Sequence, residues 1–126
     1  MIVGLGSDLV DVARFRRVAD RFGDSFLESL FSAAEVRACR CQRRPWEHFA
    51  ARFAAREAML KALGTGLAAG MSWKDIEVLP GAVPGVFTMA LRGGVLEAST
   101  RLRATHAHVA MTIGREVAAA TVVLEG

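Results

Sequence analysis

Arg52-Phe-Ala-Ala-Arg-Glu-Ala-Met-Leu-Lys-Ala-Leu-Gly-Thr-Gly66 is the stretch on which the reading of this chain turns. Its residues are strong helix formers, and Gly64 is a natural stop. Extended back to Pro45, which suits a first helical turn, it predicts one long helix over 45–63. Phe49, Phe53, Leu60 and Leu63 form its apolar stripe, and Arg56 interrupts that stripe. Glu57 and Lys61 stand four residues apart, so they lie on one face. Such a pair is either a surface salt bridge or half of a site for a metal ion and a phosphate. Arg52 and Arg56 crowd beside it on an alanine-lined helix, and this crowding favours the second reading.

Outward from that helix the pattern mixes strands and helices. Residues 2–7 read as a short glycine-bearing strand and 11–22 as a helix with apolar Val12, Phe15, Val18 and Phe22 at helical spacing. Ser32 and Glu35 have capping-box spacing, so a helix begins near Ala33 and runs to about Cys39. Residues 75–79 and 85–91 read as two strands about a Pro80-Gly81 turn, 93–103 as a helix, and 107–113 with 117–125 as a closing hairpin. Strands and helices without regular βαβ alternation argue an α+β class: a small antiparallel sheet packed on a long helix. At 126 residues, with no linker or repeat, one compact domain over 1–126 is expected.

Composition narrows the function. No run of about 18 apolar residues is present, and the first residues lack a basic leader, so a cytoplasmic protein is expected without a membrane span. Cys39 and Cys41 are too close for an unstrained disulfide and lack a second pair at zinc spacing, so they are read as reduced thiols. The net charge of +3 points to an acidic partner or a phosphorylated ligand, or is simply a soluble surface.

Asp8 follows the first strand. Read alone, it is an N-cap for the next helix, or a carboxylate placed to hold Mg²⁺ together with Glu57. Gly4-x-Gly6 resembles the start of a dinucleotide fingerprint, but Leu9 occupies the place of the third glycine. Arg14, Arg17 and Arg21 fall on one side of the first helix, and the basic segment 37–44 adds to them. That side is a solvated surface or a dock for an acidic helix. Nucleic acid is disfavoured, because no aromatics interleave and no helix-turn-helix or zinc-finger spacing occurs. His48 lies one turn before Arg52 and can join it on a phosphate. His106 and His108 share one side of a strand, as a two-histidine metal site would require.

Two stretches together resemble a known family. Gly6-Ser-Asp8-Leu-Val-Asp-Val-Ala-Arg14 and Arg52 through Gly66 are similar to the two motifs of holo-[acyl-carrier-protein] synthase, the small trimeric type of 4′-phosphopantetheinyl transferase. The likeness extends over nearly the whole chain. It implies the phosphopantetheinyl transferase fold and a homotrimer with coenzyme A bound between neighbouring subunits. It implies Mg²⁺ held by Asp8 and Glu57, with Lys61 at the phosphates and reacting centre. It further implies His48, Arg52, Gly64 and Thr112 on coenzyme A, and Arg14 and Arg21 on an apo acyl carrier protein. One departure stands out. The family usually carries Ser-x-Ser/Thr-His where this chain has Ala110-Met-Thr112-Ile113. The alternative expectation is therefore a weakly active or non-catalytic member that still binds coenzyme A or carrier protein.

Overall fold

The computed structural model describes residues 1–126. Strand β1 (Ile2–Asp11) leads into helix α1 (Val12–Phe22), then α2 (Asp24–Leu30), α3 (Ala33–Arg40) and the long α4 (Pro45–Leu63). A single 3-10 turn (Trp73–Asp75) precedes β2 (Ile76–Pro80) and β3 (Phe87–Leu91), followed by α5 (Gly93–Arg101), β4 (His106–Ile113) and β5 (Val117–Glu125). The long helix has the predicted bounds. It contains no β-branched residue, Pro45 opens it, and Gly64 closes it in the left-handed conformation at φ 75°. Most of the other elements fall within one or two residues of the sequence reading, with larger differences at β1 and α2. Strand β1 runs four residues further than expected, α2 was not anticipated, and β3 begins at Phe87 rather than 85.

β5 is the middle strand of an antiparallel sheet ordered β1-β5-β4, and β2 and β3 form a separate hairpin. Alternation along β5 buries Ala118, Ala120, Val122 and Leu124 toward α4 and leaves Val117, Thr121 and Glu125 outward. The α4 face of β1 carries Gly4 and Gly6. A Cβ on Gly6 would stand 1.9 Å from the Ala58 carbonyl oxygen and 2.7 Å from the Ala62 nitrogen. One on Gly4 would stand 2.5 Å from the Ala62 carbonyl oxygen. The two glycines thus let strand and helix backbones touch, which is why this chain has the Gly-x-Gly pattern without the rest of a dinucleotide fingerprint.

A second constraint is polar. Arg56 and Glu35 are both fully buried. The Arg56 guanidinium forks onto both Glu35 oxygens and also donates to the carbonyls of Trp73, Ile76 and Arg52. Glu35 in turn accepts from the backbone nitrogens of Ser32 and Val78, completing the predicted capping box. The network ties α3, α4 and β2 together with nearly every donor occupied, the condition under which a buried ion pair is tolerated. Arg56 interrupts the apolar stripe because it is a core residue. It is not part of an anion-binding cluster.

Two stability outcomes follow. Gly6→Ala should destabilise the fold by about 1–3 kcal/mol through overpacking against backbone that cannot yield. Glu35→Gln should cost about 3–5 kcal/mol by leaving Arg56 buried without its counter-charge. Urea unfolding monitored by circular dichroism measures both, and a shift of less than about 0.5 kcal/mol in either would contradict the corresponding account.

Candidate active site

Alternation along β1 that turns Gly4 and Gly6 to α4 turns Asp8 the same way. Asp8 therefore arrives beside the C-terminal half of the helix. Lys61 Nζ donates to Asp8 Oδ1 at 2.8 Å and to the Ser7 carbonyl at 3.0 Å. Lys61 does not form the alternative salt bridge to Glu57, because it reaches across to the strand. Asp8 is also not the helix N-cap. Asp11 performs that role, its Oδ1 accepting from the Arg14 nitrogen at 2.8 Å. Freed from capping, Asp8 lines an open cleft of about 670 Å³ with Glu57, Arg14 and Asp11, floored by Val10, Phe15, Val18, Phe26 and Phe53.

Burial raises the Glu57 pKa above the ordinary glutamate value, and the Asp8 charge raises it further, while Lys61 opposes the shift. Two carboxylates lining one cleft make a hard-oxygen pair that suits Mg²⁺. That ion takes one or two carboxylates and leaves its other positions to water and phosphate. No group of three or more His, Cys, Asp or Glu is placed to hold a metal ion.

A second cavity of about 660 Å³ holds His48, Arg52, Gln42, Met111 and Ile113 beneath the 80–87 loop. Arg52 is 2% exposed. Its Nε donates to the Val78 carbonyl at 3.1 Å and its guanidinium lies 5.5 Å from the Phe87 ring centre, yet Nη1 has no partner. The neighbouring His48 has its pKa lowered, first by burial and then by the Arg52 charge, with Glu47 opposing. A buried donor without an acceptor marks a place for a ligand oxygen. Arg52 and Glu57 are five residues apart, about 140° around the helix, and the two cavities share no lining residue. One chain does not bring them together.

The other expected residues scatter. Gly64 caps α4 at the exposed helix end. Arg21 is exposed on α1, its guanidinium 5.5 Å from the Phe22 ring centre and outside the cleft. Thr112 faces outward from β4, away from the cavity that its neighbours Met111 and Ile113 enter. His106 and His108 do stack at 6.0 Å, but His108 Nε2 pairs with Glu125 at 3.0 Å, and that bond lowers the Glu125 pKa. Cys39 is buried, which pushes its thiol up to about 11, and Cys41 is exposed; both are free thiols. Sequence reading missed the apolar floor of the Asp8 cleft. Phe15 and Phe53 were legible only as core positions.

The outer sheet face is unusually apolar. Leu5 is 63% and Leu9 71% exposed, joined by Ile2 and Val117. No helix of the chain is long and apolar enough to cross a membrane.

Glu57 gives a pH signature. Its raised pKa means the folded state resists ionisation. The folded state therefore loses stability as pH rises from the ordinary glutamate range through the raised value, and loses none below that range. In metal-free protein, Glu57→Gln should raise the melting temperature at neutral pH and have little effect at acid pH. Equal effects at both would contradict the assignment.

Comparison with known proteins agrees with this architecture. Residues 4–122 match the family model described as the 4′-phosphopantetheinyl transferase superfamily. The chain is 41% identical over 127 residues to a holo-[acyl-carrier-protein] synthase of Koribacter versatilis, covering 99% of each. Its fold is similar to the crystal structure of holo-[acyl-carrier-protein] synthase from Neisseria meningitidis, at TM-score 0.87 and 28% identity over all of both chains. It is also similar to a holo-(acyl-carrier-protein) synthase from Bacillus anthracis in complex with CoA (3′,5′-ADP), at TM-score 0.80 and 30% identity over 100% of this chain and 98% of that one. An α+β chain whose two motifs converge on one carboxylate-lined cleft, and whose full length matches these relatives, belongs to the 4′-phosphopantetheinyl transferase superfamily, among the holo-[acyl-carrier-protein] synthases.

Proposed function

We propose that residues 1–126 form one cytoplasmic transferase domain. It moves 4′-phosphopantetheine from coenzyme A to a serine of an apo acyl carrier protein. The observation that carries this reading is the convergence of Asp8, Glu57 and Lys61 at the mouth of a cleft that Arg14 also lines. The serine oxygen forms a bond to the β-phosphorus of the coenzyme A diphosphate. The bond from that phosphorus to the bridging oxygen breaks, adenosine 3′,5′-bisphosphate departs, and the serine proton passes to a carboxylate or to water.

Such a transfer needs positioning and neutral charge more than covalent help. Asp8 and Glu57 would hold Mg²⁺, which would supply charge neutralisation at the diphosphate. Lys61, already at the carboxylate, adds a second positive charge there. Arg14 and Arg21 offer guanidinium groups to an acidic helix of the carrier. His48 and Arg52 take a phosphate or ribose oxygen of coenzyme A in their own cavity.

The rotation of about 140° between Arg52 and Glu57 on α4 suits a homotrimer, in which a ligand spans the Asp8 cleft of one subunit and the His48/Arg52 cavity of its neighbour. The apolar outer sheet face, where Thr112 also lies, suits the subunit contact. Ile113 lines the His48/Arg52 cavity and not the Asp8 cleft. In such a trimer Ile113 enters the shared site, and it is the retention of Asp8, Glu57 and Lys61 at the cleft that favours an active enzyme over a non-catalytic binder.

Incubation with coenzyme A, Mg²⁺ and apo carrier protein should add a phosphopantetheine mass to the carrier. Chelation should abolish this, and Asp8→Asn or Lys61→Gln should slow it by about 100-fold or more. Binding of coenzyme A without turnover on any of several carriers would instead favour the non-catalytic alternative. Leu9→Asp should convert the trimer to monomer in analytical ultracentrifugation. A monomeric parent protein would remove the shared-site argument.

A further inference from the structure

A third cavity, of about 480 Å³, lies apart from both sites. Arg16 of α1, Arg43 and Arg44 of the turn before α4, and Arg115 of the β4–β5 turn line it, with Trp46 as an aromatic wall. It shares no lining residue with the Asp8 cleft or with the His48/Arg52 cavity. Arg16 is two positions from Arg14, about 200° around α1, so it faces away from the proposed carrier dock.

Three sequence-distant segments thus bring four guanidinium groups to one hollow, against a single lining carboxylate, Glu47. None of the four donates a hydrogen bond to protein. Arg44 stands 3.9 Å from Glu47 and Arg16 stands 3.8 Å from Asp20, both beyond hydrogen-bond length, while Arg43 and Arg115 form no ion pair. Arg16 does hold a place, 5.7 Å from the Trp46 ring centre. The α4 N-terminus opens at the same point. Its N-cap is Arg44, which has no side-chain capping bond, so the positive end of the α4 dipole adds to the field. Like charges gathered in a concave space repel unless an anion joins them, and planar forked donors match phosphate oxygens. The hollow is larger than one phosphate needs, and Trp46 supplies an apolar surface for the rest of a small molecule.

We propose that this cavity binds a small phosphate-bearing ligand, a phosphate monoester or diphosphate, independently of the transferase site. The concavity and the indole wall favour a small molecule over a flat acidic protein surface or a nucleic acid backbone. Arg43 and Arg115, free of protein partners, are its principal anchors.

Inorganic pyrophosphate is the probe, added to the full-length protein in the presence of a chelator so that the Asp8 cleft carries no metal. Trp73→Phe leaves Trp46 as the only indole and makes its fluorescence a local reporter. Pyrophosphate should change that fluorescence saturably, and calorimetry should give the same affinity. The Arg43→Gln/Arg115→Gln double variant should weaken binding about tenfold or more, the loss expected for a charge-assisted hydrogen bond. Arg16→Gln should weaken it as well, whereas Lys61→Gln, in the other site, should leave it unchanged. All these arginines are exposed, and a melting curve of each variant checks the fold. Absence of saturable binding would overturn the proposal. So would affinity that the double variant leaves intact, or binding confined to long polyanions such as heparin or DNA.

Discussion

The approach of β1 to α4 through Gly4 and Gly6 sets the geometry on which the site depends. With any side chain at Gly6 the strand would have to lift off the helix, because the space is already filled by the Ala58 carbonyl. The same alternation that turns the glycines inward delivers Asp8 to the helix surface two residues later. A strand held further out would leave Lys61 short of Asp8 and would separate the Asp8 charge from Glu57. The site is thus a consequence of backbone contact, with the alanines of α4 supplying the matching flat surface.

The charged residues of α4 divide by the side of the helix on which they fall. Arg56 is locked to Glu35 and three carbonyls in the core. Arg52 is nearly as buried but keeps an unpaired nitrogen beside a cavity. Glu57 and Lys61 emerge at the cleft. Four ionic side chains within ten residues therefore do three different jobs, and burial with partner supply decides among them. A fully satisfied guanidinium can only hold structure, whereas a buried donor lacking an acceptor, or a carboxylate beside another carboxylate, keeps free energy available for a ligand.

Positive charge is organised in a similar way. Arg14 borders the carboxylate cleft, Arg52 lies in the second cavity, and Arg16 with Arg43, Arg44 and Arg115 surrounds a third hollow. Opposite sides of the single short helix α1 thus serve separate surfaces. A basic net charge read as one property becomes three fields with different neighbours: acidic, aromatic-lined and nearly all-cationic.

The sequence by itself determined the long helix, its glycine stop, the capping box at Ser32, the closing hairpin and the α+β class, because each is written in local periodicity and in residues with one strong backbone preference. The two motifs also named Asp8, Glu57 and Lys61 as a set. Only the tertiary structure decided how they pair. Sequence spacing offered Lys61 a bridge to Glu57 and Asp8 a capping role beside the site reading, since local rules see only neighbours along the chain. The folded chain gave Lys61 to Asp8, left capping to Asp11 and drew Arg56 into the core. It also showed that His48 and Arg52 lie around the helix from Glu57, and that Thr112 faces away from the cavity that Ile113 enters. The Lys61–Asp8 and Arg56–Glu35 pairs join residues 53 and 21 positions apart, where side-chain reach and the supply of buried partners act and periodicity carries no information.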